Sequence, residues 1–498
     1  MRARFSTVLA AALATVASVL VGTGVAQAQP VVNPNKVSVV ETVPGTSTLL
    51  APQPSITFTP GTPAYGLPVI AIDEAIKEQV VQGFGGSMPD SSAWLIEHWL
   101  TPTARAQLLS DLFGPSGIRL DFLRIPIGAS DYTATETPYT YDDLPPGQTD
   151  PTLQQFSIKH DQAYILPALR QALQTNPHID MLASPWTAPA WMKRNDSLSN
   201  VQNTGTLRGE FYSTWARYIV KFLQAYEAAG VPISAVTAQN EPGNPTPYPG
   251  MNMSADSLGT FTVRDLSPAL RAAGLKTQIY GLDLGWGSAS LAYQLTAGEM
   301  PELGGVAWHC YYGSPDVMET LHTELPSVTQ IVDECSPGIT PISTSEVVIS
   351  SLRNWASTVA LWNLALDRLG GPVEQPNKGC PGCYGLATIV PTNTNIPADD
   401  QVWLSTAYYE LGQASTAIEP GARVVGSTNF VNYDYLKPGV NFVSPSVDDV
   451  AVVNPDGTRA LMAFNNGTAS ASFAVQWNSE YFDYTLPPRA TVTFVWDH

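Results

Sequence analysis

Two glutamates are placed where they could do chemistry. Glu241 stands in "AVTAQNEPGN", residues 235 to 244, and Glu334 in "VDEC", 93 residues further along the 498-residue chain. Each closes a short apolar run with strand character, and Pro242 biases the residue before it toward extended backbone. Glu241 is therefore expected to be held extended at the tip of its strand. A polar residue before a proline also begins many ordinary loops. A structural ion pair with a base such as Arg124 is the other plain role for either carboxylate. Two carboxylates facing each other across a cleft can do more. One protonates a departing glycosidic oxygen, and the other attacks the anomeric carbon or activates water.

The elements that must position them are legible from residue 79 onward. "QVVQGFGG", "IRLDFLRIPIGAS", "IDMLASPW", "ISAVTAQNE", "TQIYGLDL", "VAWHCYYG", "SVTQIVDEC" and "STVALWNLAL" read as eight strands. Amphipathic segments alternate with them. In "GEFYSTWARYIVKFLQAYEAAG", Phe211, Trp215, Tyr218, Phe222 and Tyr226 recur at helical spacing as core positions, and Gly230 stops the segment. Eight apolar strands with crossovers imply a (β/α)8 TIM barrel. A doubly wound open sheet is the alternative, but "GFGG" is too short for the glycine-rich dinucleotide loop that would support it.

In such a barrel the site is built at the C-terminal strand ends. Those ends carry Asp131, Trp186, Asn240 with Glu241, Asp283, His309 with Tyr311, Glu334, and Trp362 with Asn363. The two glutamates fall about three strand–helix units apart, on roughly opposite walls, facing a ring of Trp, Asn, His and Tyr. Asp333, one residue before Glu334, is expected to point away from the barrel axis. Glu346 lies in "SEVVISSLRNWAS", which reads as a helix, so it is not expected in the site.

Residues 31–78 and 418–498 differ from the middle. They are rich in Val, Thr, Pro and Asn with period-2 alternation, and "NPDG" at 454–457 is a hairpin turn signal. The expected organisation is a secretory signal at 1–28, N-terminal sandwich strands at 31–78, a barrel at 79–417, and a C-terminal sandwich segment at 418–498. The signal is read from Arg2 and Arg4, the apolar stretch that follows, and Ala26-Gln27-Ala28 before the cut. Export to the extracellular space is thus expected, and no other stretch is long and apolar enough to span a bilayer.

Hydrophobic residues make up 44% and charged residues 13% of the chain, which excludes general disorder. A formal charge of −19 repels phosphate backbones and anionic membrane surfaces, so no nucleic acid partner is expected. Four cysteines remain to be placed. Cys380 and Cys383 have C-x-x-C spacing without a second ligand pair for zinc, so a loop disulfide is expected there. Cys310 and Cys335 each follow an inward-facing strand-end residue, so both are expected to be inert packing side chains in the strand–helix layer.

Several long stretches also carry a resemblance. "GFGGSMPDSS", "LRIPIGASDYT", "LASPWTAPAWMK", "TWARYIVKFLQAYEAAGVPISAVTAQNEP", "VAWHCYY", "DECSPG" and "WNLALDRLGGP" occur in the order found in glycoside hydrolase family thirty. Its members include glucosylceramidases and endo-β-1,6-glucanases, and this sequence resembles them over nearly the whole mature chain. The resemblance implies a TIM barrel with an attached β-sandwich and hydrolysis of β-glycosides with retention, without metal or organic cofactor. It implies Glu241 as general acid/base and Glu334 as nucleophile. Asn240 would bond the 2-hydroxyl of the reacting sugar, and Asp131 and Trp186 would hold its remote hydroxyls. His309 and Tyr311 would lie beside the nucleophile, and Trp362 would form the apolar floor. The implied substrate is a β-glucoside of the glucosylceramide type or β-1,6-glucan, with β-1,6-galactan or xylan as alternatives. A non-catalytic carbohydrate-binding protein on the same scaffold is the reading from another class. "GGPVEQPNKGCPGCYG", after the eighth strand, resembles microbial members more than the animal enzyme.

Overall fold

A computed structural model describes residues 36–135, 137–296, 302–338, 342–373, 382–391, 401–428 and 447–497. The signal reading at 1–28 lies outside these residues. All eight expected strands form one closed parallel barrel. In chain order they are β1 (Gly83–Ser87), β2 (Phe122–Ile127), β3 (Asp180–Pro185), β4 (Ala235–Thr237), β5 (Gln278–Gly285), β6 (Gly305–His309), β7 (Thr329–Glu334) and β8 (Ala356–Leu361). β8 closes on β1 in parallel register, Thr358 opposite Gly83. The glycines of "GFGG" serve this closure: a Cβ on Gly85 would stand 1.9 Å from the Phe122 carbonyl oxygen, so only glycine admits β2 so closely.

The helix Tyr212–Ala228 buries Trp215, Tyr218, Phe222 and Tyr226 against the barrel, as its spacing predicts, and Gly230 follows with φ +79°. Glu346 is buried in the helix Thr344–Arg353, where its charged neighbours are Asp448, Arg489 and Glu410.

Both ends of the described chain join one β-sandwich. Lys36–Thr42 pairs with Thr491–Trp496, and Val447–Val453 pairs with Arg459–Asn465 across the "NPDG" turn, where Gly457 has φ +89°. The twelve-residue strand Val69–Val80 links the two layers. Its first half pairs with Ala471–Trp477 and its second with Arg423–Gly426. Val37, Phe58, Ile70, Phe473, Trp477, Phe494 and Trp496 fill the space between the layers.

Two expectations about the strand ends are corrected. Cys310 and Cys335 are joined in a disulfide, with Cα atoms 5.2 Å apart. Register explains it: His309 lies opposite Glu334, so the residues that follow point outward side by side within pairing distance. Cys383 is disulfide-bonded as well, and Cys380 lies outside the described residues. The second correction concerns Asp333, which faces inward. Trp308 is opposite Val332 and His309 opposite Glu334, so Asp333 is an extra residue in a bulge, and strict alternation fails there.

The disulfide closes a loop with a sequence separation of 25. Replacing both Cys310 and Cys335 by Ala should lower unfolding free energy by about 3 kcal/mol, since the open loop regains entropy when unfolded. A non-reducing urea melt measures it. A midpoint unchanged from the parent would contradict the structural role of the bond.

Candidate active site

β4 ends early, but its backbone continues to the rim: the Asn240 amide donates to the Pro185 carbonyl on one side and the Glu241 amide to the Asp283 carbonyl on the other. Glu241 is not extended as Pro242 suggests. Its φ is +44°, in the left-handed region that disfavours side-chain-bearing residues. The hydrogen bond to Asp283 and the neighbouring strands override the local preference, a form of strain that collects at functional sites. β5 shows a related device. Leu282 and Asp283 have φ +73° and +55°, and the register with β6 skips Asp283, which turns its carboxylate into the barrel.

A buried charge network fills the space beneath the mouth. Arg124, fully buried on β2, meets Asp283 at 2.9 Å, Asp333 at 2.8 Å, and Glu334 in a short ion pair. It also donates to Asn240 Oδ1 at 2.6 Å. That bond fixes the amide so that Nδ2 is the group left for a ligand. Asp283 in turn accepts from Thr237 at 2.6 Å and from Ser184. His309 contacts Asp283 through Nε2 at 2.8 Å, while Nδ1 lies 3.5 Å from Glu241 and 3.7 Å from Glu334. Tyr311 donates to Glu334 Oε1 at 2.8 Å, and Asn244 Nδ2 donates to Glu241 Oε2 at 2.7 Å. Carboxylate oxygens of Glu241 and Glu334 lie within 4.8 Å of each other.

The aromatic floor is a stacked pair. The Trp186 and Trp362 rings lie 5.2 Å apart and 25° from parallel, with Tyr132 edge-on to Trp362 and the Arg124 guanidinium 4.9 Å from the Trp186 centroid. Leu366 and Cys383 pack into the same cluster, with Tyr248 against it. Burial and then the charges of Asp131, Glu241 and Glu334 push the Tyr248 phenol above the ordinary range. The structure thus brings Trp186, Asn240, Glu241, His309, Tyr311, Glu334 and Trp362 to one mouth, and Asp131 directly precedes Tyr132 of the same aromatic cluster.

Charge and burial set the protonation pattern. Burial pushes the Glu241 carboxyl up, but the His309 charge and the hydrogen bond from Asn244 outweigh it and leave the pKa below the usual value. For His309 burial favours the neutral ring, yet the Glu334, Asp283 and Glu241 carboxylates together raise its pKa well above 6.5. Burial, with the Asp283 and Glu334 charges, drives Asp333 well above the carboxylate range. Asp283 goes the other way, because Arg124 and His309 overcome its burial.

Among the described residues, Glu241–His309–Glu334 and Asp283–His309–Asp333 have donor atoms close enough to hold a metal ion. The chemistry does not fit one. Both need a neutral His309 with a free lone pair, whereas its carboxylate neighbours favour the imidazolium, and the Arg124 cation already occupies the negative potential.

Sequence reasoning weighed Arg124 only as a rival partner for the glutamates, and gave no role to Asn244 or Tyr248. A lone arginine inside the apolar run "FLRIPI" was the available signal, since a buried guanidinium requires carboxylates around it. Asn244 and Tyr248 sit in the loop after β4, where no periodicity points to them. Removing the cation from this network strands its anions. Arg124→Met should cost about 3–5 kcal/mol of stability, read from the shift in urea midpoint. A cost below about 1 kcal/mol would show that the carboxylates are neutralised without it.

Residues 81–377 match the Glycosyl hydrolase family 30 TIM-barrel domain, and residues 421–494 match the Glycosyl hydrolase family 30 beta sandwich domain. The chain belongs to glycosyl hydrolase family 30. This family 30 chain is therefore an O-glycosyl hydrolase acting on a glycan or glycoside. It is 31% identical over 455 residues to the endo-1,6-β-D-glucanase BGN16.3 of Trichoderma harzianum, covering 88% of each chain. It is 28% identical to the lysosomal acid glucosylceramidase of Mus musculus over 84% of this chain and 82% of that one. Among solved structures it resembles the endo-β1,6-glucanase BT3312, with TM-score 0.77, 27% identity, and 93% and 99% of the two chains covered. No described helix is long and apolar enough to cross a membrane.

Proposed function

We propose that the protein is a secreted retaining β-glucanase that cleaves β-1,6-glucosidic bonds by double displacement, with Glu334 as nucleophile and Glu241 as acid/base. The observation that carries the mechanism is the approach of the two carboxylates within 4.8 Å. A pair this close suits direct attack by one carboxylate and leaves little room for the water that an inverting reaction places between sugar and base. The roles divide by surroundings. Glu334 is held by Arg124 and Tyr311 as an acceptor aimed into the mouth, while Glu241 borders the more open loop with Asn244 and can exchange protons with departing alcohol or entering water.

In the first step Glu241 protonates the departing oxygen as Glu334 bonds to the anomeric carbon. In the second, Glu241 removes a proton from water as it opens the ester. Asn240, oriented by Arg124, donates to the 2-hydroxyl, Asp131 accepts from remote hydroxyls, and the Trp186–Trp362 pair carries the apolar ring face. The β-1,6 linkage is preferred over glucosylceramide because three endo-1,6-β-D-glucanases are 31–32% identical to this chain and the glucosylceramidases 25–28%. The boundaries 31–78, 79–417 and 418–498 are the corresponding domain proposal, with export directed by residues 1–28. A panel of linear β-1,6-glucan, glucosylceramide, xylan and β-1,6-galactan tests the substrate. Fastest release of reducing sugar from the glucan is expected, and preference for any other member would replace the assignment.

The proton needed by Glu241 is held by its neighbour. Glu241 is shifted down and His309 up, which favours the proton on the imidazole, whose Nδ1 is 3.5 Å from the carboxylate. The form with Glu241 protonated and His309 neutral contains the same number of protons. The alkaline limb of kcat/KM therefore reports loss of one shared proton, with an apparent pKa belonging to the pair. His309→Asn leaves the proton on a carboxyl, which ordinarily titrates about two units below imidazole. Its alkaline limb should move to lower pH, by less than the difference between the free groups, because burial raises the Glu241 carboxyl once His309 no longer lowers it. A pH profile unmoved by the substitution would show that His309 takes no part in holding the proton.

A further inference from the structure

The small sheet beyond β8 has two faces with different destinations. It comprises Ala365–Leu366, Ala387–Ile389 and Val402–Leu404. Leu366 is opposite Thr388, and Thr388 is opposite Trp403, so these three side chains form one cross-strand row on one face. Ala365, Ala387 and Ile389 belong to the opposite face and join the main barrel core, with Val402 and Leu404 packed against it. The row itself begins at the floor of the active site, where Leu366 packs in the cluster of Trp186 and Trp362. Two strand spacings carry it about 10 Å outward to Trp403.

Trp403 is 44% exposed, an unusual state for a large indole, and the Arg368 guanidinium lies 5.0 Å from its ring centroid. The turn that carries Arg368 is tied down. Asp367 Oδ1 accepts from the amides of Leu369 and Gly371, both at 2.8 Å, and the Asp367 amide donates to the Gly371 carbonyl. An exposed indole with a guanidinium over its ring, on a row that begins at the floor of the reaction centre, has the chemistry of a sugar platform: the indole takes the C–H face of a pyranose and the guanidinium donates to its hydroxyls. An isolated lipid or aglycone chain would instead need a continuous apolar groove, and the single Thr388 between Leu366 and Trp403 interrupts one.

We propose that Trp403 and Arg368 form a distal subsite for a further glucosyl unit of the same chain, outside the ring whose bond is cleaved. This rests on the glucanase reading above. It makes the enzyme's efficiency depend on chain length. Trp403 is a specificity residue and touches no reacting atom.

The test compares kcat/KM on β-1,6-linked gluco-oligosaccharides, from disaccharide to hexasaccharide, with kcat/KM on an aryl β-glucoside. In the parent the ratio of long to short substrate rises with length. In Trp403→Ala that ratio should fall about tenfold, and Trp403→Phe, which keeps a stacking face, should restore most of it. Arg368→Ala should lower it by a smaller factor. A parent that gains with length while Trp403→Ala gains equally would overturn the subsite and leave the glucanase reading standing. A parent that hydrolyses the aryl glucoside but none of the β-1,6 oligosaccharides would overturn both. Equal loss of Trp403→Ala on long and short substrates, with Trp403→Phe no better, would assign the residue to folding and overturn the subsite.

Discussion

Glu334→Ala should lose activity on every glycoside, by at least about 10⁴-fold in kcat, whatever the leaving group. The reason is geometric as well as chemical. Glu334 stands at the end of β7 with one oxygen on Arg124 and the other on the Tyr311 hydroxyl, so the carboxylate proposed to attack is held in place and no neighbour is expected to replace it. Asp333, one residue away, is enclosed with Arg124 beneath the mouth and driven toward its neutral form by burial. Glu241 is within 4.8 Å, but in the proposed mechanism it meets the leaving oxygen and not the far side of the anomeric carbon. A better leaving group therefore does not rescue this variant. Appreciable turnover of a dinitrophenyl glucoside by Glu334→Ala, without added nucleophile, would remove Glu334 from the role.

Glu241→Ala should fail in a different way. Proton transfer contributes about 10²–10⁴-fold, and only where the leaving group needs it. Linear β-1,6-glucan, whose leaving alkoxide is very basic, should lose the full factor. A dinitrophenyl glucoside leaves as a stable anion and should form its glycosyl-enzyme at close to the parental rate. The intermediate then accumulates, because no base activates water, and the progress curve shows a burst followed by slow turnover. His309 is adjacent to Glu241 but reaches it only at 3.5 Å and is committed through Nε2 to Asp283, so it does not substitute as acid. Equal losses on the two substrates would contradict the assignment.

Much of this was visible before the fold. The eight strand runs are marked by apolar continuity and by crossovers with a helical period, and each contributes to the barrel. The strand-end rule then brings Glu241, Glu334, Asn240, His309, Tyr311, Trp186 and Trp362 together, because it depends only on where apolar runs stop. What escaped lies where local rules yield to tertiary pairing. Alternation predicts an outward Asp333, but the bulge between β6 and β7 turns it onto Arg124. Proline predicts an extended Glu241, but the hydrogen bond to the Asp283 carbonyl holds it left-handed. The Cys310–Cys335 bond depends on the relative register of two strands, which no single segment encodes. Tyr248 and Asn244 come from an irregular loop whose path is set by what it packs on.

In the proposed mechanism Glu334 attacks and Glu241 transfers protons, and the anomeric configuration of a trapped product distinguishes the two roles. Both variants are incubated with dinitrophenyl β-glucoside and azide, and the glucosyl azide is identified by NMR. In Glu334→Ala, azide occupies the space of the missing carboxylate and attacks once, giving the α-azide. In Glu241→Ala, azide opens the α-linked ester on Glu334 from the other face, giving the β-azide. The expected products are therefore α from Glu334→Ala and β from Glu241→Ala. The exchanged result, β from Glu334→Ala and α from Glu241→Ala, would make Glu241 the nucleophile and contradict the proposed mechanism.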